Sequence, residues 1–167
     1  MNLRKSTEHD VNSIMNIIQQ AQEYFKENGI DQWQNGYPNH DTIKNDINNE
    51  ESYVLVSNDD IIATASLSFN GEETYNVIYD GEWLSYDKYA VIHRVAVQSN
   101  CKGKGISGKV FDKLEKICLS NNIRSIKIDT HKDNISMQNL LKKCGFKQCG
   151  RILLTDNSER IAFEKLL

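Results

Sequence analysis

Apolar residues at Val11, Ile14, Met15, Ile17, Ile18 and Ala21 recur with the three-to-four spacing of one helix face. Thr7 followed by Asp10 resembles a capping box with Asp in the usual Glu position, and Gly29 is placed to stop the helix. A second, short helix is predicted from a cap at Asp41 to about Asn49, with Ile43 and Ile47 on one face. Residues 3–6 read as a short first strand. The β-rich runs 53–57 and 61–69 form a predicted hairpin across Asn58, Asp59 and Asp60. Further on, the pattern predicts a strand over 89–97, a helix over 106–121, a strand over 125–130 and a helix over 135–143 closed by Gly145. Two last strands, 146–154 and 160–167, flank a polar turn. The order is β-αα-ββ-β-α-β-α-ββ. An early antiparallel meander followed by one β-α-β crossover predicts an α/β (α+β) fold, a mixed, mostly antiparallel sheet of six to seven strands flanked by helices. No repeat, linker or low-complexity stretch interrupts it, so residues 1–167 are expected to form a single domain.

Composition narrows the function classes. Twenty Lys and Arg against 23 Asp and Glu give a formal net charge of −3, which argues against nucleic acid as the main partner. No apolar run approaches the roughly 18 residues of a membrane span, so no membrane partner is expected. The first residues lack the apolar run of a secretion signal, so the chain is expected to be cytoplasmic, with Cys101, Cys118, Cys144 and Cys149 as reduced thiols. None forms a CxxC pair and no ligand cluster is visible, so no metal is expected. No His can be placed beside a cysteine to make it a nucleophile.

Residues 93–109 carry the most chemistry. They read strand, glycine-rich turn, helix. Glycines let backbone approach a ligand without an intervening Cβ, and a helix start offers N–H groups and the positive end of its dipole. Between residues 100 and 127, Lys102, Lys104, Lys109, Lys113, Lys116, Arg124 and Lys127 face only Asp112 and Glu115, which favours a phosphate-bearing ligand. Three patterns overlap here. Gly103-x-Gly105-x-x-Gly108 fits the dinucleotide fingerprint, with Asp129 at a later strand end, although residues 98–102 intervene where a tight turn is expected. Gly103-x4-Gly108-Lys109 nearly fits a phosphate-binding loop, but Val110 has no hydroxyl for a magnesium ion. Either reading would make the chain a nucleotide- or dinucleotide-binding protein.

The third pattern covers more of the chain. Lys102-Gly103-Lys104-Gly105-Ile106-Ser107, preceded by His93-Arg94-Val95-Ala96-Val97, resembles the acyl-CoA loop of the GNAT N-acetyltransferase superfamily, whose pattern is Gln/Arg-x-x-Gly/Ala-x-Gly/Ala. Lys102 stands at the first position, Gly105 matches, and Ser107 replaces the last small residue. Asp133-Asn134 opens a helix ending Leu140-Leu141-Lys142-Lys143-Cys144-Gly145-Phe146, similar to the family's Gly-Phe step, and the element order agrees over nearly the whole chain.

The resemblance implies an acetyl-CoA-dependent N-acetyltransferase whose acceptor is a primary amine on a small molecule or peptide. It implies two central strands, here 90–97 and 125–130, that splay apart to admit the pantetheine arm as if it were a further strand. Val95, Ala96 and Val97 would carry that contact. Lys102, Gly103, Lys104, Gly105, Ile106, Ser107 and Gly108 would hold the pyrophosphate, and Asn134 matches a polar contact to the cofactor, its alternative being a helix cap. Many family members place a Tyr general acid four residues before the final helix glycine, and that position is Leu141. His93, placed by strand alternation on the face of Val95, and His131 are the candidate proton-transfer groups instead. A chain that binds acyl-CoA without catalysis is the alternative that Leu141 raises. The family's acceptor site implies residues 30–40 and 70–88. The latter hold Glu72, Glu73, Asp80, Glu82 and Asp87 with only Lys88 basic, which suits a cationic amine. Trp33, Tyr79 and Trp83 are its candidate walls. The C-terminal strand pair offers an edge for a homodimer.

Overall fold

The computed structural model describes residues 1–167. Chain order is β1 (Asn2–Lys5), α1 (Val11–Glu27), α2 (His40–Asn48), β2 (Ser52–Ser57), β3 (Asp60–Ser68), β4 (Ala90–Val97), α3 (Ile106–Ser120), β5 (Ser125–Thr130), α4 (Ile135–Lys143), β6 (Lys147–Leu153) and β7 (Glu159–Leu166), with short 3₁₀ turns at Glu8–Asp10, Glu73–Tyr75 and Ser99–Cys101. The strands form a seven-stranded sheet in the order β1-β2-β3-β4-β5-β7-β6. Pairings β1–β2, β2–β3, β5–β7 and β6–β7 are antiparallel and β4–β5 is parallel. No helix is long and apolar enough to cross a membrane. The chain divides into two compact units. The first comprises Met1–Leu67 and His93–Lys113, the second Ser68–Ile92 and Leu114–Leu167.

In the first unit, the apolar face of α1 (Val11, Ile14, Met15, Ile17, Ile18) packs with Ile43, Val54 and Ala96. Burying each such aliphatic side chain contributes about 1.5–3 kcal/mol. The helix entry is fixed by Asp10, whose carboxylate accepts from Arg4 Nη1 and Nη2 at 2.7 and 2.9 Å and from the Thr7 N–H at 2.7 Å. The Arg4 hydrogen bonds, with help from Thr7, hold this carboxyl down at about 2. A depressed carboxyl stabilises the fold above its ordinary value, and that contribution fades as pH falls from about 4 towards 2. The second helix is capped by Asn39, whose side chain accepts from the Thr42 N–H at 3.0 Å, and not by Asp41. Asp41 lies inside the first turn, where a carboxylate still suits the helix dipole. The β2–β3 turn uses two residues, Asn58 and Asp59, with φ of 49° and 67°, and Asp60 already pairs with Ser57. Two consecutive left-handed residues match the twist of a tight hairpin, and Asn and Asp tolerate that conformation.

In the second unit, Tyr75, Trp83, Val91, Cys149, Ile152 and Ala162 form the core. The segment after β3 is clamped to β6, because Tyr79 and Arg151 exchange backbone hydrogen bonds at 2.8 Å. Gly81 permits the close approach, since a Cβ there would overlap the carbonyl oxygen of Cys149. Glu164 is fully buried but satisfied. Its carboxylate accepts from Ser125 Oγ and from the Leu84 N–H, both at 2.6 Å. Beside it in register is Lys127, 3% exposed, with its Nζ 4.4 Å from the Trp83 ring centre and 4.0 Å from that of Tyr89. Burial lowers this ammonium below the usual lysine range, with Glu164 pulling the other way. Burial also pushes the Cys118 thiol up to about 12 and raises Cys149, so neither is a ready thiolate nucleophile.

Candidate functional site

Strand β4 leads into the glycine turn. Arg94, in the middle of the strand, has φ of 55°. A left-handed non-glycine residue costs about 1–2 kcal/mol, and it interrupts strand alternation. The face of His93 therefore does not follow from that of Val95 by counting, which corrects the expectation above. Contacts over-determine the bend. Arg94 Nε and Nη2 donate to the Asp46 carboxylate at 2.6 and 2.8 Å, Nη2 also donates to Ser66 Oγ at 3.1 Å, and Nη1 donates to Tyr37 Oη at 2.7 Å. Burial pushes the Asp46 carboxyl up, opposed first by Arg94 and in part by His93, which is half-buried.

The strand then ends in Val95, Ala96 and Val97, all buried, and the Gln98 N–H donates to the Ile62 carbonyl at 2.9 Å. Gly103 and Gly105 have φ of 75° and 71°, the region that glycine adopts without penalty. The Lys109 N–H reaches the Gly105 carbonyl at 3.2 Å, so the amides of Ile106, Ser107 and Gly108 precede the first hydrogen-bonded turn of α3. No atom lies within 4 Å of where a Cβ would stand on Gly103, Gly105 or Gly108. The result is a helix start whose glycines are open where a Cβ would stand, and helix starts of this kind suit anions. The lysines rim the turn. Lys104 Nζ donates to the Asn100 carbonyl at 2.9 Å, and Lys102 Nζ lies 4.3 Å from the Tyr24 ring centre. Val110 is fully buried, so the position at which a phosphate-binding loop needs a hydroxyl faces the core.

The ladder between β4 and β5 consists of Ala90 with Ile126 and Val91 with Lys127. Both strands continue past it, β4 to Val97 and β5 to Thr130. At the end of β5, Tyr75 Oη donates to Asp129 Oδ2 at 2.7 Å. The next residue, Thr130, is 1% exposed and its hydroxyl has no hydrogen-bond partner. After the strand, the His131 Nδ1 accepts from the Asp133 N–H at 3.1 Å, which leaves the neutral ring's proton on Nε2. Asn134 caps α4, its side chain accepting from the Met137 N–H at 3.1 Å. Leu141 is fully buried.

Trp33, His93 and residues 95–108 thus belong to the first unit, and Tyr79, Trp83, His131 and Asn134 to the second. Trp33 packs its edge on Phe25 with ring centres 5.6 Å apart. Tyr79 is exposed, with the Arg151 guanidinium 5.9 Å from its ring centre. Trp83 is 5% exposed and its indole N–H donates to the Tyr75 carbonyl at 2.9 Å, a core position beneath the acidic segment. The regular turn in this segment lies before both residues, at Glu73–Tyr75. Sequence reading missed the Tyr75–Asp129 pair, the Arg94 bend and the Lys127 cage. The one signal was Asp129 at a strand end, noticed for a different reason.

Comparison with known proteins adds an independent line. The sequence model of the Acetyltransferase (GNAT) family matches residues 14–146. No curated protein sequence matches the chain. Among solved structures, the chain is similar to a GNAT-family acetyltransferase from Streptococcus agalactiae 2603, at 30% identity and TM-score 0.90, over 99% of this chain and 95% of that one. It shares its fold with a GNAT-family acetyltransferase from Listeria monocytogenes 4b F2365, at 18% identity, TM-score 0.77 and 99% and 94% coverage. It also shares it with a ribosomal-protein-alanine N-acetyltransferase from Brucella melitensis, at 17% identity, TM-score 0.73 and full coverage of both chains. With the family's sequence model spanning most of the residues and a 30%-identical relative superposing over nearly all of them, this chain belongs to the GNAT acetyltransferase family.

Proposed function

We propose that the protein is an acetyl-CoA-dependent N-acetyltransferase acting on a primary amine of a cationic small molecule or peptide. The observation that carries this reading is the glycine turn between β4 and α3, where the positions a Cβ would take on Gly103, Gly105 and Gly108 are open and the amides of residues 106–108 precede the first hydrogen-bonded turn of the helix. In this reading the main chain of Val95 and Val97 pairs with the pantetheine arm. The amides of residues 103–108 receive the pyrophosphate, and Lys102, Lys104 and Lys109 add long-range attraction. When bound, acetyl-CoA supplies an acetyl thioester as the acyl donor.

The rest falls to this chain's own residues. An alkyl ammonium with pKa about 10.4 must lose a proton before its nitrogen can attack. His93 and His131 are two residues with near-neutral chemistry for that transfer, His131 through Nε2. The Tyr acid that the resemblance implies is replaced by the buried Leu141, so the departing thiolate takes its proton from another group or from water. The segment 70–88, with five acidic residues and one lysine, is matched to a cationic acceptor, and exposed Tyr79 offers a ring face to it. That a similar fold acetylates a ribosomal protein's alanine in Brucella melitensis is consistent with amine acceptors.

A thermal-shift panel tests the donor. Acetyl-CoA at a hundred times its Kd should stabilise by about 2.7 kcal/mol, a rise of a few degrees in Tm. NAD and ATP with magnesium should leave Tm unchanged, and stabilisation by either without acetyl-CoA would support a nucleotide-binding protein instead. Thiol release from acetyl-CoA, measured with spermidine and with a lysine-containing peptide, tests the acceptor. Binding without acceptor-dependent release would point to a non-catalytic acyl-CoA sensor.

A further inference from the structure

Helix α1 meets the turn after β4 along a polar stripe that the core does not use. Asn16, Gln20 and Tyr24 are spaced four residues apart, so they stack on one side of the helix. Gln20 Oε1 accepts from the Ser99 N–H at 2.7 Å, and Gln20 Nε2 donates to Asn16 Oδ1 at 3.5 Å, which sets the orientation of the amide. One helical turn further on, the Tyr24 ring takes the Lys102 ammonium at 4.3 Å from its centre. All of these residues belong to the first unit, as do residues 95–108.

The two halves of the turn are held differently. In the first half, the Cys101 N–H donates to the Gln98 carbonyl at 2.8 Å and the Lys102 N–H to the Ser99 carbonyl at 3.3 Å. These bonds shape the turn without tying it to a neighbour. The outward ties are the Gln98 N–H to the Ile62 carbonyl at 2.9 Å and the Ser99 N–H to Gln20. The second half, with Gly103, Gly105 and Gly108, is open where a Cβ would stand. Its amides can meet a ligand in register only if the first half stays in place, because binding groups lose their effect when their supports are loose. Lys102 is exposed, and a free lysine chain loses rotamer freedom when a ligand fixes it. Contact with the Tyr24 ring makes part of that loss before the ligand arrives.

We propose that Gln20 and Tyr24 are positioning residues for the acyl donor. Gln20 fixes the start of the glycine turn through the Ser99 amide, and Tyr24 pre-orders the Lys102 ammonium at its rim. This deepens the proposed function and rests on it.

Calorimetric titration of acetyl-CoA into variants, with turnover on spermidine, tests the assignment. Gln20→Met keeps the length and helix preference of the side chain and lacks the oxygen. It should bind acetyl-CoA about tenfold more weakly, the upper range for one hydrogen bond. Its KM for acetyl-CoA should rise alike, with kcat at saturating acetyl-CoA unchanged. Gln20→Glu keeps an oxygen at the same reach and should restore most of the affinity at physiological salt, where its exposed charge counts for little. Tyr24→Leu and Lys102→Met should each weaken binding by about threefold, the range of an exposed cation–π contact. The double variant should bind no more weakly than Lys102→Met alone, because Tyr24 acts through that ammonium. Wild-type affinity in Gln20→Met, or an equal loss in Gln20→Met and Gln20→Glu, overturns the role of Gln20. Losses that multiply in the double variant, or no loss in Tyr24→Leu, overturn the role of Tyr24. Should Gln20→Met fail to fold, Gln20→Ala replaces it with the same expected loss and the same overturning result. Wild-type protein that binds no acetyl-CoA overturns the underlying reading instead, a result separate from any change confined to the variants.

Discussion

The turn at residues 98–108 and the segment at residues 70–89 both carry the proposed chemistry, and they are made of different material. The turn works through peptide groups. Gly103 and Gly105 have positive φ, and nothing beyond the adjoining backbone lies within 4 Å of where a Cβ would stand on Gly103, Gly105 or Gly108. The segment works through side chains that meet residues far off in sequence: Tyr75 with Asp129, the Leu84 amide with Glu164, and Trp83 and Tyr89 with Lys127. A ligand that is recognised by main chain leaves its mark in glycine spacing. A ligand recognised by assembled side chains leaves only composition.

The contrast can be broken most sharply at Gly81. A Cβ there would overlap the Cys149 carbonyl, so Gly81→Ala should lift the segment off β6 and lower stability by about 3 kcal/mol, the upper range for overpacking. Chemical denaturation measures this, and acetyl-CoA affinity of the folded variant should stay near wild type. Next is Gly105→Val. Its φ of 71° is strained for a β-branched residue, and the added methyls enter the open space, so acetyl-CoA affinity should fall by about 2 kcal/mol, or roughly thirtyfold, in a binding titration. Lys127→Met comes third. Glu164 keeps both of its donors and the thioether still fills the aromatic cage, so the melting curve should move by less than about 1 kcal/mol in either direction. The smallest effect is expected from Lys104→Ala. Its exposed charge should change acetyl-CoA affinity less than about threefold at physiological salt. A loss larger than that of Gly105→Val would mean that lysines, rather than amides, hold the ligand.

Much of the fold was legible because its periodicities are strong. The predicted strand over 125–130 and helix over 135–143 coincide with β5 and α4, and the other elements differ at their ends by a residue or two. The misses have physical causes. Asp41 looks like a cap because Asp commonly caps, but Asn39 reaches the same first turn from the extended position before it. The left-handed Arg94 is invisible in sequence, since only the tertiary partners Asp46, Ser66 and Tyr37 make that conformation tolerable. Of the site, the glycine turn was readable and the Tyr75–Asp129 pair was not, because a bond spanning 54 residues has no local signature. Lys127 counted as one of a basic set, whereas it is buried between two rings.

The most direct test of the account is a calorimetric titration of acetyl-CoA into wild-type and Gly105→Val protein. Saturable binding of one acetyl-CoA per chain, weakened roughly thirtyfold by the valine, is the predicted result. No binding to the wild type, or equal affinity in both, would contradict the claim that the amides after β4 hold the acyl donor.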